Sequence, residues 1–323
     1  MSHPNTLQEA AALAGEIEQR LNQVLIGQQQ VVREVLIALI AGGHVLIEGV
    51  PGLGKTLLVR SLGKVLELDF NRIQFTPDLM PTDVTGHAMY DQKTEQFRIR
   101  RGPAFTQLLL ADEINRAPAK TQAALLEVMQ ERQITIEGKA FSLNEPYMVL
   151  ATQNPLDQEG TYPLPEAELD RFLFKVMIDY PDHGDETRLV NMVLDGTIRS
   201  SLDVESLTPA TDGAGVMAIR SLSDSVLIDP EVLDYALRIV RTTRDFSGLS
   251  HGASPRASIA LARAGRVQAL VEGRDFVTPD DIQQVARPVL RHRIQLSADA
   301  EIEGQTPETV LGRLLDQVEA PRQ

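Results

Sequence analysis

The feature that most restricts this chain is Gly49-Val50-Pro51-Gly52-Leu53-Gly54-Lys55-Thr56, a match to G-x-x-x-x-G-K-[ST]. It follows the apolar run His44–Glu48 and opens a helical pattern over Lys55–Leu66, the strand-to-helix setting the motif requires. Glycines let backbone N–H groups curl around phosphate oxygens, and a helix amino terminus adds positive potential. Lys55 is placed to reach the β- and γ-phosphates of a nucleotide, and the Thr56 hydroxyl to coordinate magnesium. The candidate nucleotide-binding stretch runs from Gly49 to Leu57.

A second apolar run, Leu108-Leu109-Leu110-Ala111-Asp112-Glu113, carries two acids to a strand end, the edge where an open α/β sheet holds ligand. Asp112 is the candidate magnesium holder, through water, and Glu113 the group that polarises an attacking water. Asn154 follows the run Tyr147–Thr152 and reaches the same edge, where its amide can hold that water or the γ-phosphate. No N-K-x-D segment occurs, so ATP is expected rather than GTP.

Short apolar runs at His44–Glu48, Arg72–Phe75, Leu108–Asp112, Tyr147–Thr152 and Phe172–Ile178 alternate with helical patterns. That alternation predicts a five-stranded parallel sheet between helices. Residues Leu7–Leu25 and Gln28–Ala41 read as amphipathic helices ahead of it. Two hairpins interrupt the alternation, Gly86–Tyr90 with Gln96–Arg100 and Gln133–Ile136 with Phe141–Leu143. The polar segment Gly196–Gly215 reads as a linker, so residues 1–195 are the expected α/β domain and 196–323 a linker with a small all-α domain. Helices are expected there at Asp229–Arg244, with Val232, Leu233, Ala236, Leu237 and Val240 on one face, at Ser254–Glu272 and at Thr278–Ala286.

Composition narrows the partners. The chain has 323 residues, a formal charge of -14 and no cysteine, which excludes disulfides, thiolate metal sites and cysteine nucleophiles. An acidic surface repels phosphate backbones, so nucleic acid is not an expected partner. No apolar run approaches the roughly 20 residues of a membrane helix, and the first residues are polar. No membrane insertion and a cytoplasmic location are therefore expected. The six histidines are scattered without ligand spacing and read as ordinary core or surface residues.

The P-loop, the Asp-Glu strand end, the Asn of the next strand end and the trailing helices together resemble the AAA+ ATPases. The strings Phe75-Thr76-Pro77-Asp78-Leu79-Met80-Pro81, Ala111-Asp112-Glu113-Ile114-Asn115-Arg116-Ala117-Pro118, Glu159-Gly160-Thr161-Tyr162-Pro163-Leu164-Pro165-Glu166-Ala167, Leu169-Asp170-Arg171-Phe172 and Gly252-Ala253-Ser254-Pro255-Arg256 narrow the resemblance to the MoxR family, from about Val24 to Arg293. The resemblance implies a P-loop AAA+ core with the hairpins as insertions and the helical domain as a lid. It also implies that Asn154 is a first sensor, Arg171 an arginine finger acting on a neighbouring subunit, Arg256 a second sensor, and Ile26 and Gly27 part of the adenine pocket. Members of that family are chaperone-like ATPases that assemble into rings, usually of six. They often work with a von Willebrand A domain protein in activating a metalloenzyme.

Two other functions are open to such a chain. A DNA-dependent motor or transcription activator would use similar hairpins, and Arg98, Arg100 and Arg101 cluster on the first of them. A nucleotide switch without hydrolysis would need no Glu113 or Arg171.

Overall fold

The computed structural model describes residues 3–50, 52–93, 95–154, 160–195, 204 and 206–321. Five strands build one parallel sheet: β1 (Val45–Glu48), β2 (Phe70–Gln74), β3 (Leu108–Asp112), β4 (Met148–Gln153) and β5 (Phe174–Met177), in the order β2-β3-β4-β1-β5. Alternate side chains leave opposite faces. Val45, Ile47, Leu108, Leu110, Met148, Leu150, Phe174 and Val176 enter one core, packed with α1 (Leu7–Asn22), α2 (Gln29–Ile40) and α3 (Lys55–Val65). Leu46, Ile73, Leu109, Ala111, Val149 and Ala151 enter the other, under α4 (Ala119–Glu131). Both faces are covered, so the inner strands are continuous apolar runs rather than alternating ones.

Both hairpins form. Gly86–Asp91 pairs antiparallel with Gln96–Arg101, and Gln133–Ile136 with Lys139–Ser142. The second is tighter than expected: Glu137 and Gly138, both at positive φ, make a two-residue turn that brings Lys139 and Ala140 into the strand. The first projects from a crowded base. A Cβ at Gly86 would lie 2.2 Å from the Arg100 carbonyl oxygen, and one at Gly102 would lie 2.4 Å from that of Val84. Its far end exposes Tyr90 and Phe97, stacked edge to face with ring centroids 5.4 Å apart.

The carboxyl-terminal region is helical, with more helices than the three expected: α6 (Gly213–Ser223), α7 (Pro230–Thr242), α8 (Pro255–Val271), α9 (Pro279–Leu290) and α10 (Pro307–Gln317) follow α5 (His183–Leu194). Of the segment read as linker, residues 196–203 and 205 lie outside the described residues, and its end starts α6, capped by Asp212. Helix α9 runs past Ala286 and carries Pro288 inside it. A small antiparallel pair, Leu249–His251 with Gln295–Leu296, joins these helices. The expected face of α7 is corrected in part. Tyr235 and Ile239 are buried beside Val232, Ala236 and Val240, whereas Leu233 and Leu237 are about 40% exposed, because one face of a helix takes only part of each turn. The helices share the first core with α1 and β1. No described helix is long and apolar enough to cross a membrane.

His44 is structural. Its Nε2 donates to the Met129 carbonyl at 3.1 Å and its Nδ1 accepts from the Val149 N–H at 3.0 Å, so the neutral ring satisfies both partners. Burial pushes the ring down to about 4, and the charges of Arg132 and Arg220 act in the same direction. A histidine held below its ordinary value stabilises the fold fully above about pH 6.5, and that contribution is lost as pH falls towards 4, about 3 kcal/mol in all. The thermal midpoint of the wild type is therefore expected to fall faster than that of His44→Gln between pH 7 and 4.5. A constant gap between the two would show that the ring does not titrate on unfolding.

Candidate nucleotide site

All five strands end at one edge, and the P-loop leaves it from β1. Gly52 and Gly54 hold φ of 90° and 82°, where a side chain would cost about 1–2 kcal/mol. Gly54 is the residue from which α3 starts, and four N–H groups at such a start lack helical partners. Lys55 and Thr56 are half-buried in the first turn and Leu57 is buried behind them, with Val50, Leu53 and Gly49 completing the loop. Pro51 lies outside the described residues. The Lys55 Nζ donates across the loop to the Gly49 carbonyl. Burial pulls its ammonium below the ordinary lysine range, and Asp112, Glu113 and Glu48 oppose that shift. The lysine thus sits in the field of the acids expected to share its work.

Those acids are held firmly. Asp112 ends β3, and its Oδ1 accepts from the Thr152 hydroxyl at 2.6 Å. Its Oδ2 accepts from Arg72 on β2, at 2.6 Å from Nη2 and 3.2 Å from Nε. Glu113 adopts left-handed backbone geometry at φ 56° and ψ 51°, a conformation that costs a residue other than glycine about 1–3 kcal/mol. Its N–H donates to the same Thr152 hydroxyl at 2.8 Å, which pins the turn. The Glu113 Oε2 accepts from Gln74 Nε2 at 2.8 Å and from Arg116 Nη1 at 3.0 Å. Asn154 is buried just past β4, the strand beside β1. Ile26 is buried, and Gly27 packs against Pro181 and Asp185, while Gly49 abuts Ile178. Both therefore flank the segment after β5 that borders the P-loop.

Arg171 and Arg256 lie elsewhere. Phe174 of β5 pairs with Val45, and the Leu173 N–H donates to the His44 carbonyl at 2.8 Å, so Arg171 enters the sheet at its amino-terminal edge. The four residues of β1 span roughly 13 Å between that edge and the P-loop. Arg256 accompanies Arg171, because the Ser254 hydroxyl donates to Asp170 at 2.9 Å.

Sequence reasoning missed Arg72, Gln74, Thr152 and Arg116. The first three reach the acids from neighbouring strands, and no local pattern reports which strands are neighbours. Arg116 stands three residues after Glu113, a spacing that puts the two charges together in a turn.

Residues 44–174 match the family described as "ATPase family associated with various cellular activities (AAA)", and residues 241–314 match the "AAA lid domain". Chaperone MoxR1 of Mycobacterium tuberculosis is 42% identical over 311 residues, covering 94% of this chain and 81% of that one. The uncharacterized protein YeaC of Bacillus subtilis is 43% identical, over 96% of each chain. A crystal structure of a protein from Cytophaga hutchinsonii superposes with a TM-score of 0.89 at 39% identity, covering 98% of this chain and 97% of that one.

Thr152→Val removes the hydroxyl shared by Asp112 and the Glu113 N–H while keeping the shape of β4. Turnover is expected to fall about tenfold or more, because small displacements of reacting groups are costly, with nucleotide affinity little changed. Titration with a fluorescent nucleotide beside a phosphate-release assay checks this; unaltered turnover would remove Thr152 from the site's support.

Proposed function

This chain belongs to the MoxR family of AAA+ ATPases and is an ATP hydrolase, and on that premise we propose that it spends ATP on remodelling a protein client from within a ring of six subunits. Lys55 and the loop Gly49–Leu57 grip the phosphates, Ile26 and Gly27 flank the adenine, and Glu113 polarises the attacking water. Asn154 serves as first sensor beside the γ-phosphate, and Arg256, which stands with Arg171 at the opposite edge of the sheet, serves as second sensor at a neighbour's nucleotide.

Magnesium suits the donors present. A threonine hydroxyl and one carboxylate are hard oxygen ligands, and magnesium is commonly held by few such groups with phosphate oxygens completing its shell. No cluster of three or more acidic or histidine side chains able to hold a metal occurs among the described residues, which fits a cation shared with the nucleotide. Thr56 and Asp112 would hold it. Bound there, magnesium neutralises charge on the phosphoryl oxygens.

The observation that carries the ring is the separation of Arg171 from its own P-loop across the length of β1. An arginine placed there suits a neighbour's phosphates, where a finger contributes about 10³–10⁵ in rate. The chaperone name of the Mycobacterium relative supports a protein client, and the family resemblance carried by the sequence motifs implies as partner a von Willebrand A domain protein in metalloenzyme activation. Of the arginines on the first hairpin, two have partners within the chain. Arg98 pairs with Asp91 at 3.1 Å and Arg101 lies over the Phe105 ring at 5.0 Å.

Mixing Lys55→Ala with Arg171→Ala subunits tests the ring. Each alone is expected to be inactive, and mixed assemblies are expected to recover part of the activity where an intact loop meets an intact finger. No recovery in assemblies shown to be mixed counts against action between subunits. Glu113→Gln is expected to bind ATP and hydrolyse it about 10²–10⁴-fold more slowly. That form should retain a von Willebrand A domain partner with ATP and release it with ADP; retention indifferent to nucleotide would refute the assignment.

A further inference from the structure

The loop that carries Arg171 is gripped by the lid of its own chain. Arg293, only 4% exposed, follows α9 and spreads its guanidinium over four acceptors around that loop. Its Nε donates to Asp170 Oδ1 at 2.7 Å, and its Nη2 donates to the Asp170 carbonyl at 3.2 Å and the Phe172 carbonyl at 2.6 Å. Its Nη1 donates to the Leu173 carbonyl at 3.0 Å. His292 Nε2 donates to the Phe172 carbonyl at 3.0 Å. The carbonyls immediately before and after Arg171 are thus both bound by lid side chains, while the Arg171 guanidinium itself makes no ion pair among the described residues.

The second carboxylate oxygen of Asp170 leads the other way. Ser254 Oγ donates to Asp170 Oδ2 at 2.9 Å, and the Ser254 Oγ in turn accepts from the Arg256 N–H at 3.2 Å as the cap of α8. Asp170 therefore stands between the backbone of one arginine and the helix start that presents the other. A fully paired cation and carboxylate at such a junction define geometry, because leaving either charge buried without its partner is strongly unfavourable. Bidentate and forked donation from arginine adds directional constraint that a lysine could not supply.

We propose that Asp170, Ser254 and Arg293 form a latch that lets the lid set the position of Arg171, with Asp170 as a positioning residue for hydrolysis in the neighbouring subunit. This rests on the reading of Arg171 as a finger acting between subunits. The latch makes the lid of one subunit, through Asp170, a determinant of turnover in the next. The position of Arg256 and the reach of Arg171 are set by the same carboxylate.

The test uses full-length subunits disabled in their own hydrolysis by Lys55→Ala, so that each contributes only its finger to a wild-type neighbour. Wild type is mixed with an excess of Lys55→Ala subunits carrying, in turn, no further change, Arg171→Ala, Asp170→Asn, Ser254→Ala or Ser254→Thr. Assembly is confirmed by sizing, and phosphate release per wild-type subunit is measured at saturating ATP. Arg171→Ala is expected to lower that rate to the level left by the few contacts between wild-type subunits, and Asp170→Asn and Ser254→Ala each about tenfold relative to Lys55→Ala alone, as misplacement of a reacting group does. Ser254→Thr, which keeps the hydroxyl and the cap, is expected to restore it. If Arg171→Ala suppresses neighbours while Asp170→Asn and Ser254→Ala do not, the latch is overturned and the finger stands. If Arg171→Ala has no effect on neighbours, the finger reading itself fails and takes the latch with it. Asp170→Asn as a uniform assembly should lower kcat with KM for ATP unchanged; a rise in KM alone would assign Asp170 to the lid's own stability instead.

Discussion

Polarity of the sheet is the constraint from which the site follows. Five strands run the same way, so each delivers its last residue to one edge, and Glu48, Gln74, Asp112 and Gln153 arrive there from strands far apart in sequence. The same polarity sends whatever precedes a strand to the opposite edge. Arg171, which precedes β5, is carried away from the loop that follows β1 by nothing more than the direction of the chain. One ordering rule thus gathers one set of charges and excludes another.

Gathering acids and a lysine at a strand edge is costly unless each has partners, and the partners come from the sheet itself. Thr152 bonds both to the Asp112 carboxylate and to the N–H of Glu113, so one hydroxyl ties two adjacent residues to the neighbouring strand β4. Glu113 can hold left-handed geometry because that N–H is anchored and its carboxylate is met by Gln74 and Arg116. Such over-determination is how a fold keeps a strained residue at a working position.

Much of this was legible in the sequence. Leu108–Asp112 could be read from end to end because a strand buried on both faces is uniformly apolar and stops at its first charge. The P-loop declared its own turn and helix start. Strand β2 was harder, since its outer position leaves it half-buried and the polar pair Asn71-Arg72 interrupts its apolar signal between Phe70 and Ile73. Leu233 and Leu237 misled because apolar type does not say which side of a helix meets its neighbours. Helices α6 and α10 passed unnoticed, the first because its start is a run of glycine and alanine. Least legible were the bonds across long separations: Thr152 lies 40 residues from Asp112 and Arg293 lies 123 from Asp170, and only the folded chain makes them neighbours.

The first hairpin has a mechanical corollary. Gly86 and Gly102 close its base so tightly that no side chain fits there, and two six-residue arms extend from it, with the exposed rings of Tyr90 and Phe97 one pair short of their far ends. Arms of that length measure roughly 20 Å, so a tilt of about 10° at the glycine pinch sweeps the far end through about 3 Å. The hairpin is geared: displacements too small to disturb the sheet become, at its aromatic end, movements as large as the spacing between successive residues of an extended chain.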